Sequence, residues 1–185
     1  MAVNKSGLKA ALETFFTPQE LGGTLPDNDA GDAAAHQSAC AQLWADAMQI
    51  YVAAMEPGHV AAFAGTASAN LKTALEGVFS GWYTSGNYNC AELNAAFDSF
   101  AAEIAASVGA EQSSRTGGLP RLFIGTPPPG INLCSLSSLS ENEENPYSTA
   151  AQNFADLIDD WFTQGISDTT DDSPPTKPHL TLPWQ

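Results

Sequence analysis

The stretch that decides the fold runs from Asn70 to Val108. It begins Asn70-Leu-Lys-Thr-Ala-Leu-Glu-Gly-Val-Phe79, continues Ser80-Gly-Trp-Tyr-Thr-Ser-Gly-Asn-Tyr-Asn89, and then reads Cys90-Ala-Glu-Leu-Asn-Ala-Ala-Phe-Asp-Ser-Phe-Ala-Ala-Glu-Ile104. Apolar residues recur every three or four positions on both sides of a Gly- and Asn-rich centre, which predicts two amphipathic helices. The first presents Leu71, Leu75 and Phe79, and the second presents Leu93, Phe97, Phe100 and Ile104. Residues 81–89 predict a break between them.

Two other parts of the chain resemble this helix–break–helix unit. Gly7-Leu-Lys-Ala-Ala-Leu-Glu begins one, and Asn132-Leu begins the other. Each helix is apolar on one side only, so each unit must bury that side against the others. The sequence therefore predicts a mainly α protein, a helical bundle of three degenerate units at about 4–56, 70–108 and 132–165. The pattern fits an internal duplication, and it also fits a spacing that is common in helical proteins.

A Gly- and Pro-rich insert, residues 110–131, separates the second and third units. Residues 110–118 have the composition of a linker or an exposed tip, and Leu119 to Ile124 form the best candidate strand. Pro120 cannot donate a ladder hydrogen bond, so it predicts an edge strand. Thr126-Pro-Pro-Pro-Gly130 predicts an extended segment or a turn. The insert is thus a short β or extended excursion from a helical domain that covers residues 1–166.

The chain changes character after residue 166. Residues 167–185 are acidic and Pro-rich, with little periodicity, which predicts an extended arm. The arm nevertheless ends in Leu180, Leu182 and Trp184, which are apolar. This ending favours an arm that docks, on another subunit, over the alternative of a disordered tail.

Composition limits the partners of this chain. Six Lys and Arg stand against 21 Asp and Glu, so the net charge is −15. Broad faces for nucleic acid or for anionic membrane need basic patches, so both partners are disfavoured. Charged residues are only 15% of the chain, against about 25% on average. This low value is compatible with a surface covered by neighbouring subunits or with a helical protein rich in small residues.

The sequence predicts neither a membrane span nor a secreted protein. No apolar run approaches the ~20 residues of a membrane helix, and the N-terminus lacks the apolar segment of a signal peptide. Cys40, Cys90 and Cys134 are far apart and odd in number. We therefore expect buried free thiols in a protein made in the cytosol.

No motif for catalysis or for a cofactor is present. His36, His59 and His179 fit no metal-binding pattern, and residues 27–32 resemble a calcium loop but lack its glycine and its bidentate glutamate. The paired acids Asp171 and Asp172 are typical of a solvated face. We therefore predict no enzyme activity, no metal and no cofactor, although an enzyme of unfamiliar type remains an open alternative.

Six apolar or aromatic residues are the candidate partner-binding residues. The break between the central helices holds three aromatic residues, many for a loop, and these either pack over the helices or face a partner. The end of the arm supplies the other three. The six residues are Trp82, Tyr83, Tyr88, Leu180, Leu182 and Trp184.

The chain resembles small virion proteins of tailed bacteriophages, in particular those encoded among neck and tail genes. The resemblance lies in the opening Asn4-Lys5-Ser6-Gly7-Leu8-Lys9-Ala10-Ala11-Leu12, the Ala-rich helix at 39–51, the segment 125–130 and the last helix at 149–163. It implies a structural subunit without catalysis, located in the virion after assembly in the host cytoplasm. Its partners would be copies of itself, in a ring or other symmetric homo-oligomer, and neighbouring proteins of the neck (head–tail connector) or tail.

A soluble helical binding module is the alternative. It would capture a peptide or a small apolar ligand between its units, with Trp82, Tyr83 and Tyr88 lining the site. Oligomeric state separates the two hypotheses, because a binding module can act as a monomer whereas a ring subunit must assemble.

Overall fold

The computed structural model describes residues 3–17, 33–53, 55, 61–108, 110–111, 121–136 and 147–185. These residues form helices α1 (Lys5–Phe16), α2 (Ala33–Val52), α3 (Ala61–Ser85), α4 (Cys90–Ser107) and α5 (Tyr147–Phe162), a 3₁₀ turn (Leu133–Leu136), and strands β1 (Ala110–Glu111), β2 (Arg121–Thr126), β3 (Ile166–Thr169) and β4 (Thr181–Pro183). The prediction of a mainly α bundle with a short β insert is confirmed. The linker residues 112–118, Pro120, the calcium-like loop at 27–32 and His59 lie outside the described residues.

The five helices pack in the order α5, α1, α2, α3, α4, so the first helix lies between the last helix and the second. Trp44 on α2 joins three of the other helices at the centre of the core. Its ring centroid lies 5.7 Å from that of Phe15, 5.6 Å from that of Phe97 and 5.6 Å from that of Phe154. Such aromatic pairs add roughly 0.5–1.5 kcal/mol each beyond their buried area. The apolar faces predicted from periodicity therefore meet in one core.

Polar contacts fix the start of α1 against α2 and α5. The Asn4 side chain caps α1 by accepting a hydrogen bond from the Gly7 amide at 2.9 Å. Lys5 Nζ lies 2.8 Å from Asp156 and 3.1 Å from Asp159 on α5. The Tyr51 hydroxyl of α2 donates to Asp159 at 2.8 Å, and burial together with this carboxylate raises the Tyr51 pKa. Asp159 thus connects three helices.

Helix α3 is longer than the sequence predicts. The break expected at 81–89 is wrong over its first half, because α3 continues to Ser85. The Ser85 hydroxyl donates back to the Gly81 carbonyl at 2.8 Å, which satisfies an acceptor in the last turn. Gly86 then adopts φ 69°, a conformation that suits glycine after a helix end. Asn89 caps α4, since its side-chain oxygen accepts a hydrogen bond from the Ala91 amide at 3.1 Å.

The segment 125–134 runs back along α4 from its C-terminal end to its N-terminal end. A Cβ on Gly125 would come within 2.5 Å of the Ala105 carbonyl oxygen, so this close approach requires glycine. Farther along, the Ile131 amide donates to Asp98 at 2.8 Å and the Leu133 amide donates to Asn94 at 3.0 Å. Side chains of α4 thus satisfy the backbone of a segment whose prolines prevent regular structure.

A disulfide ends this docked segment. Cys90 and Cys134 are bonded, with their Cα atoms 5.7 Å apart and a sequence separation of 44. The expectation of three free thiols is therefore wrong for these two residues, and Cys40 is free and partly buried. Spacing along the chain did not indicate the pair, because the antiparallel path of 125–134 along α4 brings the two cysteines together.

The strands form an antiparallel sheet in the order β1-β2-β3-β4. Phe123 pairs with Thr169, Ile124 with Asp168, and Ser167 with Leu182. The expectation that the strand near Pro120 lies at an edge is wrong, since β2 has β1 on one side and β3 on the other. Pro120 precedes the first residue of β2, so the strand itself keeps all of its amide donors.

The arm supplies two of these strands and is held by its own chain. Arg121, on β2, is 2% exposed. Its Nε lies 3.1 Å from Asp171, its Nη2 lies 2.9 Å from Asp172, and Nη2 also donates to the Pro178 carbonyl at 2.9 Å. Asp171 and Asp172 are therefore not a simple solvated face. They pair with a buried cation that the arm covers.

Removal of this cation is expected to loosen the arm. Arg121→Ala should lower the free energy of unfolding by about 2–3 kcal/mol, because it removes charged hydrogen bonds from a buried site and leaves the Pro178 carbonyl without its donor. Urea unfolding followed by tryptophan fluorescence measures the loss. Lys177→Ala is the control, since Lys177 contacts Asp171 at 2.7 Å from a more exposed position. An equal loss in both variants would contradict the buried role of Arg121.

The same cluster should make stability depend on pH in the acid range. The Lys177 ammonium, followed by the Leu122 amide and Arg121, lowers the pKa of Asp171 to about 2 from 3.8. The folded state therefore favours the ionised carboxylate, and this contribution is present above pH 3.8 and lost as pH falls towards 2. We expect Asp171→Asn to have a flatter stability profile over this range in urea titrations. Parallel profiles for the two proteins would contradict the assignment.

Candidate functional site

An aromatic cluster stands at the turn between α3 and α4. It comprises Phe79, Trp82 and Tyr83 from the last turns of α3 and Tyr88 from the turn, and we call it the aromatic tip. The Trp82 ring centroid lies 5.6 Å from that of Phe79 and 5.7 Å from that of Tyr88. The structure therefore brings together the three aromatic residues predicted from the sequence and adds Phe79. Gly86 makes this possible by reversing the chain within a short turn.

The aromatic tip borders an open cavity of about 320 Å³. The end of α1, the first turns of α2 and the end of α3 form its wall, which is largely apolar. The lining residues are Phe15, His36, Gln37, Cys40, Phe79, Trp82, Tyr83 and Tyr88. Burial raises the pKa of the Cys40 thiol, so this sulfur is a poor nucleophile at neutral pH. The cavity has the size and lining of a site for apolar groups.

Two tyrosines of the aromatic tip are strongly exposed. Tyr83 is 70% and Tyr88 is 83% exposed. Residues 77–91 carry no Asp, Glu, Lys or Arg, and Ser, Gly, Thr and Asn are the neighbours of the aromatic residues in the sequence. Tyrosine and tryptophan are enriched at protein interfaces, where charged side chains are depleted. Tyr together with Ser, Gly and Asn is also the composition of antibody binding loops. The aromatic tip thus has the chemistry of a protein-binding surface.

Trp82 is not optimised for the stability of the isolated chain. Its indole Nε1 is buried but has no hydrogen-bond partner among the described residues. A buried donor without a partner costs roughly 1–3 kcal/mol. Trp161 is a useful contrast, because its Nε1 donates to the Pro129 carbonyl. Trp82 therefore does not maximise the stability of the chain by itself. Its place in an exposed aromatic cluster favours a role in binding.

The two tryptophans are expected to differ in how much stability they lose on substitution by phenylalanine. Trp82→Phe removes the unpaired donor, so we expect the free energy of unfolding to change by less than about 1 kcal/mol. Trp161→Phe leaves the Pro129 carbonyl without its donor, and we expect a loss of about 2 kcal/mol. Chemical unfolding of both variants measures the difference. A loss for Trp82→Phe as large as that for Trp161→Phe would show that the Trp82 donor is satisfied.

The apolar end of the arm does not join the aromatic tip. Trp184 is 0% exposed and packs on Phe162, with the ring centroids 4.9 Å apart. Leu180 and Leu182 are partly buried, and Leu182 pairs with Ser167 in the sheet. The expectation that the arm docks on another subunit is therefore wrong. The arm completes the sheet of its own chain through β3 and β4, and Trp184 packs beside α5 on Phe162.

The sequence interpretation missed a second exposed apolar surface. Leu122 and Ile124 on β2 are 53% and 60% exposed, whereas Arg121 and Phe123, which alternate with them along the strand, are buried. Alternation at period two was the available signal, since it places Leu122 and Ile124 on one face of a strand. Arg121 obscured that signal. A charged residue in a short strand usually faces solvent, which would place Leu122 and Ile124 on the buried face.

Neither a metal site nor a membrane helix is found in the described part of the chain. No group of three or more His, Cys, Asp or Glu side chains there is placed to hold a metal ion. None of the described helices is long and apolar enough to cross a membrane. Comparisons of the chain with protein-family models, with curated proteins and with solved structures each give no match.

Proposed function

We propose that this chain is a structural subunit of a tailed-phage virion, which assembles at the neck (head–tail connector) or tail with copies of itself and with neighbouring proteins. The observation that carries the proposal is the aromatic tip, an exposed and uncharged aromatic surface on an otherwise acidic helical bundle. The virion resemblance of the sequence supports the same role. The proposed partners are proteins, with neither nucleic acid nor membrane bound directly.

Two exposed tyrosines of the aromatic tip favour a protein contact, because their rings are apolar area that a partner would remove from water. Tyr83 and Tyr88 present ring area to solvent and form part of an apolar wall. Covering such rings removes apolar area from water at roughly 25 cal/mol per Å², and tyrosine loses little side-chain entropy on binding. The chain as a whole carries a net charge of −15, so acidic parts of its surface repel a second copy. An uncharged aromatic surface is therefore the favourable place for a protein contact.

The test uses purified particles. We expect mass spectrometry of gradient-purified, salt-washed virions to find the protein at the copy number of a structural component. Virions that carry the double change Tyr83→Ser and Tyr88→Ser should lack it. Tyr147→Ser is the matched control, because Tyr147 is an exposed tyrosine at the start of α5. Protein found only in the soluble fraction of the lysate would overturn the proposal.

The cavity beside the aromatic tip favours a second candidate function, a soluble module that binds a small apolar ligand or a peptide. A volume of about 320 Å³ lies at the lower end of known ligand pockets, which span roughly 300–1,000 Å³. The neutral fluorescent probe N-phenyl-1-naphthylamine tests this candidate. Saturable binding at one probe per chain, lost in Trp82→Ala, would favour it over the structural role.

A further inference from the structure

A groove between α5 and residues 129–135 is a second candidate binding surface, separate from the aromatic tip. Its volume is about 480 Å³, within the roughly 300–1,000 Å³ of known ligand sites. Residues 129–132 and Ser135 form one wall, and the C-terminal end of α5 together with Gln164 forms the other. Among the described residues, the groove shares no lining residue with the cavity beside the aromatic tip. We call it the Trp161 groove.

One hydrogen bond joins the two walls at the base of the groove. Trp161 is 5% exposed, and its indole Nε1 donates to the Pro129 carbonyl. The Trp161 ring also packs on Phe162, with the ring centroids 5.9 Å apart. Leu157 lies one turn before Trp161 on α5 and adds aliphatic surface to the lining. The base therefore offers apolar area, while the one donor of the indole is already in use.

Free hydrogen-bond acceptors stand at the rim of the groove. The Asp160 carboxylate is exposed and has neither a hydrogen bond nor an ion pair with any described residue. Gln164 donates from its amide nitrogen to the Asp160 main-chain carbonyl at 2.7 Å, so the amide oxygen of Gln164 remains an acceptor. Ser135 Oγ donates to the Asn132 carbonyl at 2.8 Å, so its proton is also used. No Lys, Arg or His is among the described residues that line the groove.

The Trp161 groove also lies in a region of excess negative charge. Asp156, Asp159 and Asp160 are within two turns of each other on α5. Lys5 Nζ lies 2.8 Å from Asp156 and 3.1 Å from Asp159, and these two ion pairs occupy its ammonium group. Asp160 instead lines the groove, where no cation of the described chain neutralises it. An occupant that supplies a positive charge and several donors is therefore favoured.

We propose that the Trp161 groove binds an arginine side chain of a partner protein. This inference rests on the proposed structural role only in taking that partner to be a neighbouring protein of the virion. The guanidinium group is planar and carries five donors, which match the Asp160 carboxylate and the Gln164 amide oxygen. The aliphatic part of the arginine packs on Leu157 and on the exposed edge of Trp161. The groove and the side chain are thus complementary in charge, in hydrogen bonding and in polarity.

Charge complementarity selects this occupant over others. A net charge of −15 attracts a basic partner and repels an acidic one, including a second copy of this chain. An uncharged side chain would cover the groove but leave the Asp160 carboxylate without a counter-charge. Lysine supplies the charge, but its ammonium is compact and strongly hydrated and lacks the planar fork that binds two acceptors side by side. Arginine combines the charge, the fork of donors and an apolar stem.

The test uses the full-length protein and N-acetyl-arginine amide, a blocked residue without terminal charges. Each of the four tryptophans gives one indole signal in two-dimensional NMR spectra of nitrogen-labelled protein, and the signal missing from Trp161→Phe is that of Trp161. At physiological salt, we expect the Trp161 signal to shift saturably and the Trp82 signal to stay in place. N-acetyl-citrulline amide has the same shape without the charge, and N-acetyl-lysine amide has the charge without the fork. Both should bind at least about fivefold more weakly.

A matched pair of variants assigns the binding to Asp160. Asp160→Asn should weaken binding of the arginine probe about fivefold, a size in keeping with an exposed ion pair. Asp46→Asn removes the same charge from an exposed position on α2, where Gln42 donates to it at 2.7 Å, and should leave binding unchanged. Equal weakening in the two variants, equal binding of the arginine and citrulline probes, or no shift of the Trp161 signal would each overturn the inference. The comparison of probes uses wild-type protein, so the inference stays testable if Asp160→Asn fails to fold.

The outcome is separable from that of the structural role. A protein that binds the arginine probe as described but is absent from purified virions would retain the Trp161 groove and overturn the structural role. A protein that is present in virions but does not bind the probe would retain the structural role and overturn the groove.

Discussion

Trp184→Ala is expected to lower the free energy of unfolding by about 3–5 kcal/mol, the usual cost of truncating a fully buried tryptophan. Trp184 is 0% exposed and packs against Phe162 with the two rings tilted by 46°. Its Nε1 donates to the Ser167 hydroxyl at 3.0 Å, and its amide donates to the Gly165 carbonyl at 2.8 Å. The loss should be this large because the side chain anchors both the arm and the end of α5.

Urea unfolding measured by circular dichroism gives the size of this effect. Trp82→Ala is the control, because it removes the same side chain from a partly exposed position and should cost clearly less. Gly165→Ala should act in the same direction as Trp184→Ala, since a Cβ there would come within 2.3 Å of the Trp184 ring. A full-length Trp184→Ala protein with wild-type stability would show that the arm does not dock on its own chain.

Loss of the Cys90–Cys134 disulfide is expected to cost about 4 kcal/mol. In the chain-entropy account, a bond that closes a loop of 44 residues restricts the unfolded ensemble by about this amount. The double variant Cys90→Ser and Cys134→Ser should unfold at a correspondingly lower urea concentration. Segment 125–134 should keep its place on α4 in the folded variant, because Asp98 and Asn94 still accept its amide hydrogen bonds.

The comparison that checks this effect is oxidised against reduced wild-type protein. Thiol alkylation followed by mass spectrometry should modify Cys40 alone in the oxidised protein and all three cysteines after reduction. Cys40→Ser serves as the control and should retain the sensitivity to reductant. Equal stability with and without reductant would contradict a stabilising bond between these residues.

Local sequence signals were sufficient for the helices with clear caps and periodicity. Asn4 and Asn89 each cap a helix, because an amide side chain before an apolar repeat satisfies the first free backbone donors. The length of α3 was predicted less well. Glycine and aromatic residues between 81 and 85 suggested a break, yet the helix continues there. Phe79 packs on Trp82, and the side-chain hydroxyls of Thr84 and Ser85 donate to backbone carbonyls one turn back.

The residues proposed for the candidate site also fall into two groups, those that the structure brings together and those that it places elsewhere. Trp82, Tyr83 and Tyr88 were predictable because they are close in sequence and a single turn brings them together. The sequence suggested a partner for the apolar end of the arm, because no neighbouring residue in the sequence could bury it. This end comprises Leu180, Leu182 and Trp184. Only the fold supplies a sheet edge for this arm, together with a space for its tryptophan.

The sequence by itself determined the mainly α class, the caps of α1 and α4, the acidic character and the aromatic content of the tip. These properties depend on composition and on contacts between residues a few positions apart. The tertiary structure decided the disulfide, the pairing of Arg121 with Asp171 and Asp172, the burial of Trp184 and the exposure of Leu122 and Ile124. Some of these features join residues that are far apart in the chain, and the others depend on which elements pack over a side chain. Local spacing in the sequence encodes neither kind of information.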